Sequence, residues 1–337
     1  MSRKLILGAV VVIAFAVSFM AKKALHNSGS RNPGTVISSR KGAQSEIPHK
    51  RIISLAPSIT ETLYALGLMD QVVGVTRYCD YPPEALTKTE IGGYYDPNYE
   101  AIVALEPDLI IMLAEHEEPR KHLADLGYNI IVVNHTSIQG ILRSFELIGE
   151  ACGVLPKARS IVEDIRARMH RIREKTEGLP SPRVMISIGR NMGSGTLKDV
   201  YISGKEGFYD EMIEFMGAVN AYEGDVAFPV VSAEGIIRMN PEVIIDMVPD
   251  IEEHGWDPQM ICREWDALSQ VDAVKNHRVY VFGEDYVVVP GPRFILIMEK
   301  MARALYPKVE WDSSALLTGF VTVRSTGSKE ASGLSGS

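Results

Sequence analysis

Aromatic and acidic residues crowd the segments of this sequence that could do chemistry, and no nucleophile constellation stands among them. In the first half these segments are Thr76-Arg77-Tyr78-Cys79-Asp80-Tyr81, Gly93-Tyr94-Tyr95-Asp96 and Ala114-Glu115-His116-Glu117-Glu118. In the second they are residues 191–201, Ala227-Phe228-Pro229 and Glu284-Asp285-Tyr286. Aromatic residues in loops are less readily explained as core than aromatics on a helix face, which makes them candidates for touching a ligand. Catalysis is not expected. GxSxG is absent, GSGTLK around Ser194 is neither a Walker loop nor a GxGxxG fingerprint, and Ser58 and Asp80 lack an evident histidine partner.

A metal-ion receptor would need histidine and carboxylate ligands from both halves. His116 and His135 stand where strands end, whereas His254 and His277 have weaker settings. Direct metal binding is therefore the lesser alternative, and no metal ligand or cofactor is assigned. Cys79, Cys152 and Cys262 show no CxxC spacing, so neither a zinc site nor a disulfide framework is implied, and at most one disulfide could form.

The elements that must position these loops follow an alternating plan. RIISLA, VVGVT, DLIIML and NIIVVN read as strands, separated by the helical stretches SITETLYALGL, NYEAIVALE and PRKHLADLG. Residues 137–152 and 156–177 read as two more helices, the second about 33 Å long. The plan then restarts with RVMISIG, GFYDEMIEFMGA, SAEGIIRMN, EVIIDM, HRVYVFG and PRFILIMEKMARALY. YEAIVALEPDLII also returns as AEGIIRMNPEVII, with Glu100 matching Glu234 and Pro107 matching Pro241, 134 positions apart. The fold class is α/β: two Rossmann-like lobes with parallel sheets joined by one long backbone helix. Such lobes place ligands in a cleft at the carboxyl ends of their strands.

The flanks are different. MSRK precedes an uninterrupted apolar run over 5–21, roughly 25 Å as a helix, followed by Lys22-Lys23. Two fates are open: an uncleaved signal anchor or a cleaved signal peptide. No cysteine follows the run, which argues against a lipoprotein anchor. Both fates place the body in the periplasm or otherwise outside the cytoplasm. The expected boundaries are 1–24 for this segment, 25–49 for a flexible tether and 50–153 for the N-terminal lobe. The connecting helix takes 154–180, the C-terminal lobe 181–324 and a disordered tail 325–337. Of the 35 Lys/Arg and 43 Asp/Glu, residues 1–50 hold eight bases and Glu46 alone, leaving the rest at 27 − 42 = −15. An acidic body repels nucleic acid, which is excluded as a partner.

RIISLAPSITETLYALGL, VVGVTRYCDYPPEA, YEAIVALEPDLII and FPVVSAEGIIRMNPEVII resemble the substrate-binding proteins of importers for cobalamin, ferric siderophores and heme. The resemblance spans about residues 50–306 and is strongest to the cobalamin-binding members. It implies a non-enzymatic bilobal receptor that delivers a corrinoid or iron chelate to an ABC permease and its ATPase. The pocket aromatics it implies fall on Tyr94 or Tyr95, Tyr201, Phe228 and Tyr286. Tyr78 and Arg293 complete the ligand-binding candidates. One aromatic position falls on Leu113 and one cysteine position on Met216, departures that weaken a cobalamin-specific reading. The resemblance also implies permease docking through Glu117 and Glu234. The competing reading is an anchored sensor or surface protein that reuses the fold.

Overall fold

The computed structural model describes residues 35–37, 50–192, 197–249, 251 and 254–311. The apolar run 5–21, most of the tether, Ser194 and the tail 325–337 lie outside the described residues.

The first lobe begins with β1 (Thr35–Ile37) and β2 (Ile52–Ser54), then α1 (Pro57–Leu66), β3 (Val72–Val75) and β4 (Thr89–Glu90). It continues through α2 (Tyr99–Ala104), β5 (Leu109–Leu113), α3 (Glu117–Asp125), β6 (Ile130–Val133) and α4 (Ile138–Ala151). Its sheet runs β1-β6-β5-β2-β3-β4 and is parallel except for β1. Every residue of β5 is buried because helices cover both faces, which is why LIIML is apolar without alternation. Within the segment 25–49, the described residues form β1, which pairs with β6. Its short TVI run supplies the β-branched residues that an open sheet edge can pair.

The second lobe contains β7 (Arg183–Gly189), β8 (Val200–Ile202), α6 (Phe208–Phe215), β9 (Val219–Asn220), β10 (Val230–Val231), α7 (Ala233–Met239) and β11 (Val243–Met247). After these come α8 (Pro258–Glu264), α9 (Asp272–Lys275), β12 (Val279–Phe282) and α10 (Phe294–Leu305). Leu155–Thr176, the long helix between the lobes, is named αL here. The β10-β8-β7-β11-β12 sheet is mixed, because β8 runs antiparallel to both β7 and β10. Tyr201 thus lies on β8 and not in a loop.

The sequence echo is a structural repeat down to its hydrogen bonds. Asn98 and Ser232 each cap their helix, accepting from the amides of Ala101 and Gly235. Glu106 and Asn240 precede Pro107 and Pro241, where proline disfavours right-handed helix, and take φ of 45° and 42°. Arg51 then donates to the Leu105 carbonyl and Arg183 to that of Met239, closing both helices. The Asp108 carboxylate accepts from the Arg51 amide, as Glu242 does from that of Arg183.

αL carries Ala158, Val162, Ile165, Met169 and Ile172 inward at alternating spacings of four and three. Val162 is buried on this face, whereas Ile161 beside it is only half-buried. The same apolar cluster includes residues of both lobes and of αL, so the lobes share one core. Arg168 adds a bidentate bridge to Glu299 on α10 at 2.8 Å.

Candidate functional site

The lobes meet where the chain after β12 crosses the face of α1. Ser58 and Glu61, three residues apart, point from that face toward Gly291. A Cβ on Gly291 would stand 3.3 Å from both the Ser58 backbone and the Glu61 carboxylate, a tight contact that glycine avoids. Arg293 closes the seam. Its Nε and Nη2 donate to Glu61 at 2.9 and 2.7 Å, and its Nη1 donates to both Asp285 oxygens at 3.0 and 2.8 Å. The guanidinium lies 3.8 Å from the ring centre of Tyr81 in the first lobe and 4.9 Å from that of Tyr286 in the second. A cation between two aromatic faces gains from both ring quadrupoles. Burial pushes the Glu61 carboxyl up to about 7, against the lowering by Arg293.

A second tie lies beside this one. The Ile138 amide, at the N-terminus of α4, donates to Glu211 on α6 at 2.8 Å. A carboxylate is favoured at that end of the helix dipole.

On the first lobe's wall, Tyr94 donates to Glu115 at 2.7 Å and packs edge-on against Tyr95 and His116, with ring centres 4.8 and 4.4 Å away. Burial, reinforced by Glu115, holds the Tyr94 phenol well above its ordinary range, so it stays protonated. Burial likewise pushes the Glu115 carboxyl up. His116 is driven down to about 3 by burial and is neutral. Its Nδ1 accepts from the Leu113 amide at 3.3 Å, which leaves Nε2 to carry the proton without a protein acceptor. Tyr95 keeps 37% of its surface exposed and offers the open aromatic face of this group.

The structure thus joins Tyr94 with Tyr95, and Tyr286 with Arg293. Tyr201, 38% exposed on β8, pairs in register with Val230, and half-buried Phe228 lies two residues before that position. Tyr78 is half-buried, with the Arg77 guanidinium 6.0 Å from its ring. Glu117 opens α3 and Glu234 lies in the first turn of α7, both exposed. The backbone amide of Glu234 and the Ser232 hydroxyl hold the Glu234 carboxyl below its ordinary range.

Two sequence readings need correction or extension. Ser58 does have a histidine partner: its Oγ lies 2.8 Å from His135 Nδ1, while His135 Nε2 lies 3.0 Å from Ser144 Oγ. All three are buried and burial pushes His135 down to about 3, so the group is a neutral core network, with both ring nitrogens occupied. Glu61 escaped notice altogether. Its one signal was a glutamate between Ile59 and Leu63 on the apolar face of SITETLYAL. The three cysteines are free.

Two α/β lobes on a stiff helix, with Tyr81 and Tyr286 meeting over Arg293 at their junction, define a receptor that holds a solute between lobes. Residues 52–286 match the periplasmic binding protein family, and the chain belongs to it. It is a binding protein and not an enzyme, and its place of work is outside the cytoplasm. An uncharacterized ABC transporter substrate-binding lipoprotein of Bacillus subtilis is 33% identical over 266 residues, covering 77% of this chain and 80% of that protein. The crystal structure of the periplasmic vitamin B12-binding protein of Vibrio cholerae superposes with a TM-score of 0.65 at 27% identity, covering 77% and 98% of the two chains. A periplasmic heme-binding protein from Pseudomonas aeruginosa, at 21% identity and a TM-score of 0.64, shares the fold.

Proposed function

We propose that this protein captures a corrinoid or an iron chelate, such as heme or a ferric siderophore, in the interlobe cleft and delivers it to an ABC permease driven by its ATPase. The observation that carries the reading is the Tyr81–Arg293–Tyr286 stack, which brings aromatic faces from both lobes to one seam. Tyr94 and Tyr95 add a wall on the first lobe, and Tyr201 and Phe228 supply aromatic side chains from the second. Tyr78 completes the set. The likeness to a vitamin B12-binding protein supports a large, flat, metal-containing ligand.

Delivery needs contact with the permease on both lobes. Exposed carboxylates at helix starts serve that role through steering and register more than through affinity. Glu234 is the second lobe's candidate, and Glu117 is the one that the resemblance implies for the first. The N-terminal segment, where retained, would hold the body beside its permease.

Absorption spectra of the purified protein after incubation with cyanocobalamin, hemin and ferric siderophores test the reading. Co-purification of one chromophore at a one-to-one ratio is the expected result. Failure of all three classes to bind rejects it.

A further inference from the structure

We infer that the cleft floor admits chelates whose periphery is neutral or cationic and disfavours polyanionic ones, because its stacked guanidinium is already committed to two carboxylates of the protein. The inference rests on the proposed role as a chelate receptor and narrows its ligand class.

Arginine is the usual means of gripping an anionic ligand, through a bidentate fork. Here Nε and Nη2 of Arg293 donate to Glu61, Nη1 donates to both Asp285 oxygens, and the guanidinium lies over the rings of Tyr81 and Tyr286. An incoming carboxylate or catecholate would compete with Asp285 for Nη1. Burial pushes the Glu61 carboxyl up to about 7, so near neutral pH the Glu61–Arg293–Asp285 group lies between neutral and −1 and presents no net positive charge to a ligand. Glu115 adds a carboxyl on the first lobe's wall, and its hydrogen bond from Tyr94 uses up a donor that a ligand oxygen would need.

Other cations at the strand ends are similarly engaged. Arg190 is buried between Asp246 and Glu264, and Lys300 is held by Glu284. Arg77 faces Glu90 and Asp96 at 3.8 and 3.3 Å. Lys198 is exposed before β8 with Asp199 beside it. A ligand with several negative charges therefore meets cations already paired with carboxylates and gains little attraction from them, in a partly desolvated cleft where screening is weaker than in bulk water.

The test is an equilibrium titration of the full chain by fluorescence quenching, at low and high salt. Four probes differ in peripheral charge: cyanocobalamin (neutral), ferrioxamine (cationic), hemin (two propionates) and ferric enterobactin (polyanionic). A neutral or cationic probe should bind at least about tenfold more tightly than either anionic one, and the gap should widen as salt falls. Asp285→Asn frees one fork of Arg293 and should narrow the gap. Asp285 is partly exposed, and Glu115→Gln gives a second route should the first variant fold poorly. Hemin or ferric enterobactin binding as tightly as the best probe, or tightening as salt falls, overturns the charge inference and leaves the receptor reading standing. An unchanged gap in the folded variants also overturns it. Binding of none of the four defeats both.

Discussion

Arg293 of the second lobe and Glu61 of the first share two hydrogen bonds of 2.9 and 2.7 Å, and the pair is nearly closed to water, at 15% and 3% side-chain exposure. Removing Glu61 leaves Arg293 paired with Asp285 and costs two charge-assisted hydrogen bonds in a buried setting, about 1.5–3 kcal/mol. Glu61→Ala should therefore lower unfolding free energy by about 2 kcal/mol in urea titrations. Glu299→Ala breaks a better hydrated bridge to Arg168 and should cost about 1 kcal/mol. Equal losses for the two glutamates would count against the seam as a buried bridge.

The buried titratable groups give opposing pH slopes. His116 and His135 are driven from 6.5 to about 3, so the folded protein holds them neutral while the unfolded chain takes up protons below 6.5. Their stabilisation is full above 6.5 and is lost as pH falls toward 3. Glu61, raised from 4.5 to about 7, binds its proton more tightly when folded, so its contribution declines as pH rises from 4.5 through 7. Between pH 5 and 6 the glutamate partly offsets the histidines. Glu61→Gln removes that offset and should steepen the acid loss by about 1.4 kcal/mol per pH unit, measured by urea unfolding across that range. A slope unchanged from wild type would mean that Glu61 is ionised throughout.

The duplicated helix–proline–strand blocks were legible in the sequence because apolar spacing, caps and proline all repeat locally. The seam was not. Glu61 and Arg293 are 232 residues apart, and nothing in either neighbourhood names the other. The pairing of Ser58 with His135 was hidden for the same reason, across 77 residues. Short strands failed differently: Val200–Ile202 and Val230–Val231 are too brief to show a period, and their pairing comes from tertiary contact. Tyr201, assigned to a loop from sequence, lies on one of these strands.

Lobe movement on binding should be small. αL has no proline after Pro156 and no glycine, and a sharp kink needs one of these or a bulge. The bridge to Arg293 and the bond from Ile138 to Glu211 tie the lobes on either side. X-ray scattering with and without the bound chelate should give nearly superimposable curves. A clear fall in radius of gyration on binding would show that these ties open.

Aromatic substitutions should separate ligand contacts from core supports. Tyr95→Ala and Tyr201→Ala remove exposed rings and should weaken chelate binding about tenfold, with little change in melting temperature. Tyr94→Phe deletes the bond to Glu115 and should cost about 1 kcal/mol of stability. Thermal melts and chelate titrations on the same preparations check both. Unaltered affinity in both alanine variants would move the ligand elsewhere in the cleft.

Permease docking offers a choice between two first-lobe carboxylates. The resemblance points to Glu117, whereas the duplicated frame points to Glu100, which holds on α2 the place that Glu234 holds on α7. Both sit in the first turn of a helix capped two residues earlier, by Asn98 and Ser232, and both are exposed. Glu117 opens α3 after His116, whose side chain makes no cap, and lies outside the duplicated block. Carboxylates at equivalent places of the duplicated frame present the same local geometry from the two lobes. Glu100→Ala/Glu234→Ala should therefore slow association with permease in proteoliposomes, by a factor that shrinks as salt screens the wild-type attraction. Chelate affinity should be unchanged, because both side chains lie on exposed helix starts away from the Arg293 seam. Glu117→Ala/Glu234→Ala should behave like Glu234→Ala alone. If the Glu117 pair instead carries the larger deficit, the resemblance is the better guide, and loss of chelate by either double variant would place these carboxylates in the pocket.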